Sequence, residues 1–383
     1  MKFRVERDAL ADAVTWAARS LASRPTLPVL AGLLLKVSGD SLTLSGFDLE
    51  ASTEVDLPVS AGDDGTALVS GRLLADITRA LPPHPVDVAL DGARLSISCG
   101  AARFTLPTMP VDDYPSLPSM PTTAGTVVGA EFAAAVGQVA IAAGRDDTLP
   151  MLTGVRLEIA GDKLTLAATD RYRLAVRELT WSPGDPNAAD VQVLVPARTL
   201  ADAAKSLAHT ESLTIALAGG DAGSGIIGFT GTTNAKVASA SRATTRLLDA
   251  TFPPYRSLLP SEWASSAEIS VAALTEAVRR VALVTDRNAP VRMEFGDASV
   301  SLTAGGDDSG DGGRAEERLE VAYDGDPITT AFNPQFLLDG LGALNTGTAR
   351  MLFTSSTKPV VLRPEAADGA DYTYLIMPVR LPG

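Results

Sequence analysis

Residues 169–173, Thr-Asp-Arg-Tyr-Arg, set a hydroxyl, a carboxylate, two guanidinium groups and a phenol in consecutive positions. They close an alternating apolar pattern, so they stand at the end of a strand, where polar and aromatic groups can gather into a site. Little else in the chain could do covalent chemistry. The run GGDDSGDGG from Gly305 puts Asp307, Ser309, Asp311 and Gly312 at the first, third, fifth and sixth positions of an EF-hand loop. The twelfth is Arg318, where a bidentate Glu is needed, and the flanks read as strands, so a solvated hairpin loop is the better reading. Ser224 lies in Gly-Ser-Gly without the G-x-S-x-G spacing of a nucleophile elbow. His84 sits in a proline-rich loop, and His209 ends a helix; neither has a nucleophile partner. There is no phosphate-binding G-x-x-x-x-G-K-[ST] loop, and no acidic motif that would organise two metals. The expectation is a protein without a catalytic site, metal or cofactor.

Cys99 is the single cysteine, which rules out an intrachain disulfide and leaves no Cys/His zinc set. The N-terminus MKFRVERDAL is charged where a signal peptide needs an apolar core. The most apolar runs, Val29 to Leu35 and Phe132 to Gly144, fall short of the ~20 residues that cross a bilayer. A soluble, cytoplasmic chain with no membrane partner is expected. At 383 residues and 45% apolar content it should hold two or three globular domains. Its 32 Lys and Arg against 46 Asp and Glu give a net charge of −14, which on average opposes a nucleic-acid partner.

The elements that must position residues 169–173 recur. Each of three copies opens with a strand leading into an amphipathic helix, from Lys2, Thr126 and Ala267. A hairpin follows, from Leu33, Val155 and Val291; in the second it turns at Gly161-Asp162, and the third is looser. Leu42 and Leu164 correspond at an offset of 122, Leu164 and Val300 at 136. A strand then enters a second helix, from Ala67, Val193 and Thr329, with Leu74, Leu200 and Leu337 in register, each shortly before Asp76, Asp202 or Asp339. Strands close each copy. Proline-rich exits from Asp112 and Ala250 end the first two. This predicts an α+β chain of three similar domains, 1–122, 123–262 and 263–383, each with two helices and about eight short strands in small antiparallel sheets.

Across helix segments 6–24, 71–80, 131–145, 197–209, 271–283 and 334–344 there are ten Lys or Arg and eight acids, so these segments total +2 and the rest −16. Taken alone, such numbers are better explained by ordinary solvated helix faces. Tyr172 and Leu174, with Met377, Pro378 and Val379, are apolar residues at element ends and form either core or a mixed pocket. Phe104 with Leu106, and Leu283 with Val284, are either core or two halves of a head-to-tail interface.

The spaced segments MKFRVER, SRPTLPVL from Ser23, AATDRYRLAV from Ala167, FPPYRSLLP, AFNPQFLLDGL from Ala331 and YLIMPVRL resemble the bacterial replicative sliding clamp family, the β subunit of DNA polymerase III, over the whole length. The resemblance implies a head-to-tail homodimeric ring with helices lining the hole. It implies sequence-independent contact with double-stranded DNA, and processivity conferred on the polymerase without a catalytic site. Basic helical residues would then meet DNA while the acidic surplus lies outside. Matched residue by residue, it places DNA contacts on Arg24, Arg72, Arg198 and Lys205, and the dimer contact on Phe104, Leu106, Leu283 and Val284. A partner-peptide pocket falls on Leu152, Thr169, Arg171, Tyr172, Arg173, Leu174, Pro253, Leu258, Asn333, Phe336, Thr357, Pro359, Leu375, Ile376, Met377, Pro378, Val379 and Arg380. The partners implied are the DNA polymerase III α subunit, the clamp loader, other polymerases and repair proteins, each through a short motif. Many members have Gly-His where this chain has Arg171-Tyr172, and Arg where it has Ser257, which should reshape the pocket rim. A clamp paralogue on the same scaffold, a spare or inhibitor-resistant copy, is the alternative.

Overall fold

The computed structural model describes residues 1–22, 24–217, 225–233, 239–284, 289–305, 313–365 and 372–380. The residues weighed above as a calcium loop, and Ser224, lie outside them. The helices are α1 (Arg7–Ala17), α2 (Gly71–Ala80), α3 (Gly129–Ala140), the single turn α4 (Pro150–Thr153), α5 (Ala197–Ser206), α6 (Val271–Val281) and α7 (Pro334–Ala343). Around them the same element order runs three times. The opening strands are Lys2–Val5, Thr122–Val127 and Ser265–Ser270. After the first helix of each copy comes a hairpin, whose third strand is Ala51–Pro58, Arg173–Thr180 or Arg314–Glu320. After the second helix comes a three-strand meander, which ends in Ala102–Met109, Ser239–Arg246 or Tyr372–Ile376. The chain has three such domains, each with nine strands among the described residues rather than about eight.

The expected turn of the middle hairpin lies at Gly161, whose φ of 58° is the left-handed conformation that glycine adopts without penalty. The third hairpin turns on Asp297 and Ala298, at φ 46° and 56°, which is why its sequence looks looser: it lacks the usual glycine.

Two compact units emerge, Met1–Ala134 with Thr180–Asp249 and Ala135–Leu179 with Ala250–Gly383. In the first, strands of two copies join into one 14-stranded sheet among the described residues. The joint is antiparallel pairing of Ala51–Pro58 with Ser239–Arg246, Val55 opposite Ser241. Ser52 and Thr244 hydroxyls meet across it at 2.6 Å, and Arg242 donates to Glu54 at 2.7 Å and Asp56 at 2.6 Å. In the second unit the equivalent joint pairs Arg173–Thr180 with Tyr372–Ile376, Leu174 opposite Leu375. Both joints obey one rule: the third strand of a copy pairs with the last strand of the next.

The helices bury the stripe their periodicity demands: Leu10, Val14 and Ala17 in α1, and Leu274, Val278 and Val281 in α6. α1 is shorter than expected. The chain tightens into a 3-10 turn at Ala18–Ser20, and the Ala17 carbonyl accepts from Thr53 Oγ1 at 2.9 Å, a side-chain partner for a helix-end acceptor. Pro25 disfavours a helical Arg24 as well. Arg24 is therefore a loop residue, and so is Arg145, beyond the end of α3. Within the observed bounds of α1 to α7 seven basic residues balance seven acidic ones, so the helices are neutral rather than +2. They remain the neutral part of a chain of net charge −14.

Gly46 approaches this helix end so closely that a Cβ would stand 2.3 Å from the Ala17 carbonyl oxygen and 2.6 Å from Ser20 Oγ. Gly46→Ala should destabilise the first unit by about 1–3 kcal/mol, seen as a lower urea midpoint, because backbone must move to admit the methyl group.

Candidate functional site

The hairpin end at 169–173 is a turn built on one aspartate. Asp170 Oδ1 accepts the backbone N–H groups of Tyr172 and Arg173, both at 3.0 Å. Thr169 Oγ1 donates to the Arg173 carbonyl at 2.6 Å and accepts from the Arg171 N–H at 3.2 Å. Arg171 is thereby held at φ 80°, a conformation that costs a non-glycine residue about 1–2 kcal/mol. The first copy makes the same turn: Asp48 Oδ1 accepts from Glu50 and Ala51, and Leu49 stands at φ 81°. The middle copy thus departs from the first in side chains and not in backbone.

Those side chains build a wall. Arg173 is buried, donates from Nε to Asp170 at 2.9 Å and from a terminal nitrogen to Asp339 at 2.5 Å, and lies 4.5 Å over the Phe336 ring. Burial works against its charge, but Tyr374, Asp339 and Asp170 outweigh burial and hold the guanidinium above its ordinary range. Phe336 in turn stacks on Tyr172, with centroids 6.2 Å apart. The start of α7 is fixed by Asn333, whose Oδ1 accepts from Gln335 at 2.9 Å and Phe336 at 3.4 Å, an N-cap. Gly340 lets the Tyr374 ring lie against α7, where a Cβ would be 2.4 Å from the ring, and Tyr374 donates to the Phe336 carbonyl at 2.8 Å.

The chain end completes the site. Beyond Tyr372–Ile376 the Met377 N–H donates to the Tyr172 carbonyl and the Val379 N–H to the Ala331 carbonyl, both at 2.8 Å. Pro378 and Arg380 ride on this segment. Leu174, Leu375 and Ile376 are buried beneath, and Val360, opposite Ile376, brings Thr357 and Pro359 to the same strand end. Pro253 and Leu258 lie on the exit segment after Ala250, with Ser257 exposed between them. Leu152 is buried in α4. Tyr172, Leu258, Met377 and Val379 are 57%, 50%, 36% and 38% exposed, large apolar groups left to water, and Tyr172 and Met377 are joined through the backbone. Every sequence-predicted pocket residue lies in the second unit. Asp170 stands in the run that the sequence singles out but not among the expected pocket residues; Asp339, Tyr374 and Gly340 complete the wall, and of these the sequence marks only Asp339, as a repeat position.

The four expected DNA contacts all lie in the first unit and are exposed: Arg72 on α2, Arg198 and Lys205 on α5, and Arg24 in its loop. Among the described residues none of them pairs with a carboxylate, whereas Arg79, Arg279 and Arg280 are taken by Asp76, Glu276 and Glu317. Of the expected dimer residues, Leu283 is 83% exposed, and Phe104 and Val284 are 36% exposed. Leu106 is 1% exposed and belongs to the core of its own sheet. No group of three or more His, Cys, Asp or Glu among the described residues could hold a metal, and no described helix is long and apolar enough to cross a membrane.

Removing one partner of a buried ion pair strands the other, so Arg173→Met and Asp339→Leu should each destabilise by about 3 kcal/mol. Their double-mutant cycle in urea should give a coupling above about 1 kcal/mol, and additivity would contradict the wall described here.

The chain matches three family models of the DNA polymerase III beta subunit: the N-terminal domain over residues 1–118, the central domain over 126–254 and the C-terminal domain over 256–380. It is 54% identical over 387 residues to a beta sliding clamp of Streptomyces coelicolor, covering 100% of both chains. It is 44% identical to the beta sliding clamp homolog GriR of Streptomyces muensis, covering 99% of both. Its fold is similar to a Pseudomonas aeruginosa sliding clamp (DNA polymerase III subunit beta) bound to griselimycin, with a TM-score of 0.88 and 28% identity over 100% of both chains.

Proposed function

We propose, from the premise that the chain belongs to the DNA polymerase III beta subunit family of sliding clamps, that it closes with a second copy into a ring on duplex DNA and tethers partners by the pocket around Tyr172 and Met377. The observation that carries this reading is the pattern of strand edges. Two third strands, Ala51–Pro58 and Arg173–Thr180, are paired by the last strand of the following copy. The third, Arg314–Glu320, stands at the edge of its four-stranded sheet. The last strand of the first copy pairs with Arg94–Cys99 on one side, and on the other only at Thr108 and Met109 among the described residues. A second copy of the chain supplies each open edge with the partner that the rule requires, twice, in a head-to-tail closed pair. Leu283 and Val284, in a 3-10 turn packed against Arg314–Glu320, and Phe104 on the other edge are the exposed apolar groups such a junction buries. Arg103 lies on one of these two strands and Glu316 and Glu320 on the other, so the edges carry opposite charges.

Arg24, Arg72, Arg198 and Lys205, unpaired and exposed, meet phosphates. Such contacts carry no base information and weaken with salt, which permits sliding. The pocket takes short motifs of the DNA polymerase III α subunit, the clamp loader, other polymerases and repair proteins, with the apolar wall supplying most of the affinity. A tethered polymerase rebinds at an effective concentration on the order of mM. The clamp is a cytoplasmic processivity factor that makes and breaks no bond. Its domains run 1–122, 123–262 and 263–383. The greater identity to a plain clamp than to GriR supports the main clamp over a spare, inhibitor-resistant copy.

Light scattering at micromolar concentration should give about twice the 39.6 kDa of one chain. Leu283→Asp should shift the population toward monomer without lowering the unfolding midpoint. A wild-type monomer would contradict closure by strand edges.

A further inference from the structure

A cleft of about 280 Å³ opens on the strand face of the second unit, lined in part by Thr165, Val176, Glu178, Arg256, Arg363 and Thr373. It continues the pocket. Leu174 lies opposite Leu375 and Val176 opposite Thr373, so the two pairs share a face and stand one two-residue step, about 7 Å, apart. The carboxylates in and beside it are occupied: Glu178, in its lining, holds Lys163 at 2.6 Å, and Glu158, which bonds the lining residue Arg256, also holds Arg156 at 2.6 Å.

Its cations are not all occupied. Arg363 donates from Nε to Thr373 Oγ1 at 3.1 Å, and among the described residues no carboxylate reaches its guanidinium. Directly across the ladder stands Arg350, and two like charges so placed destabilise a sheet. Arg350 is also opposite Glu268 on its other side, but that ion pair is loose at 3.9 Å, and Arg350 Nε is buried with no hydrogen-bond partner. Two adjacent guanidiniums with donors to spare, in a chain of net charge −14, call for an external anion.

We propose that Arg350 and Arg363 form an anion subsite for a carboxylate side chain of the same partner segment whose apolar residues fill the pocket. The inference rests on the pocket reading above. Arginine forks match a carboxylate in bidentate geometry. Glu178 and Glu158 nearby disfavour the denser charge of a phosphate or a nucleic-acid backbone. Clamp partners with acidic residues flanking their motif are therefore selected over partners without them.

The test is calorimetry on the full-length protein at low salt with two peptides, Gln-Leu-Ser-Leu-Phe carrying either two Asp or two Ser at each end. The Asp-flanked peptide should bind about fivefold tighter, with the advantage shrinking in added salt. R350Q and R363Q should erase that advantage and leave the Ser-flanked affinity unchanged. Equal binding of the two peptides to the wild type overturns the subsite, even if a variant fails to fold. So does equal weakening of both peptides in the variants. If neither peptide binds the wild type, the pocket reading itself fails and the subsite falls with it.

Discussion

An unpaired strand edge exposes a row of backbone donors and acceptors that another strand can satisfy, and the architecture here follows from how those edges are filled. The third strand of each copy protrudes where its own sheet has no further strand to offer. The next copy fills the gap with its last strand, at Val55 opposite Ser241 and again at Leu174 opposite Leu375. The three-fold repetition of a unit too small to finish its own sheets makes the chain long, and it also leaves the edge of Arg314–Glu320 without a partner among the described residues.

The proposed pocket lies at one of these joints. Its backbone is ordinary for the repeat, since Asp48 and Asp170 build the same turn and Leu49 and Arg171 take the same left-handed conformation. What makes the middle copy different is a guanidinium. Arg173 is locked by Asp170 on its own turn and by Asp339 on α7, and it supports Phe336, on which Tyr172 stacks. The apolar rim is thus carried by a buried ionic network rather than by apolar packing alone. That fixes its shape before any partner arrives, and a preformed surface loses less entropy on binding.

Much of this was legible in the residues. The 3.6 and 2.0 periods gave α2 at 71–80 and the hairpin around Gly161 as they stand. Helix ends were less legible. α1 stops at Ala17 because Thr53, 36 positions away, accepts the role of capping its carbonyl, and α3 stops short of Arg145. The first error put Arg19, Arg24 and Glu6 on a helix and the second Arg145, which together produced a basic surplus that the helices lack. The significance of the charges lies in their pairing, not their sum. Arg72, Arg198 and Lys205 are unpaired while Arg79 and Arg280 are not, and composition cannot distinguish them. Likewise Asp339 reads as a periodic surface acid until the fold brings Arg173 to it from 166 positions away.

The central claim is topological: the chain holds DNA by enclosing it. The direct measurement loads the protein onto a nicked circular plasmid with a bacterial clamp loader and ATP, then separates bound from free protein by gel filtration before and after a single restriction cut. Enclosure predicts that the protein elutes with the circle and is lost once the DNA is linear, at a salt concentration where Arg72 and its neighbours alone could not retain it. Equal retention on circular and linear DNA would contradict it.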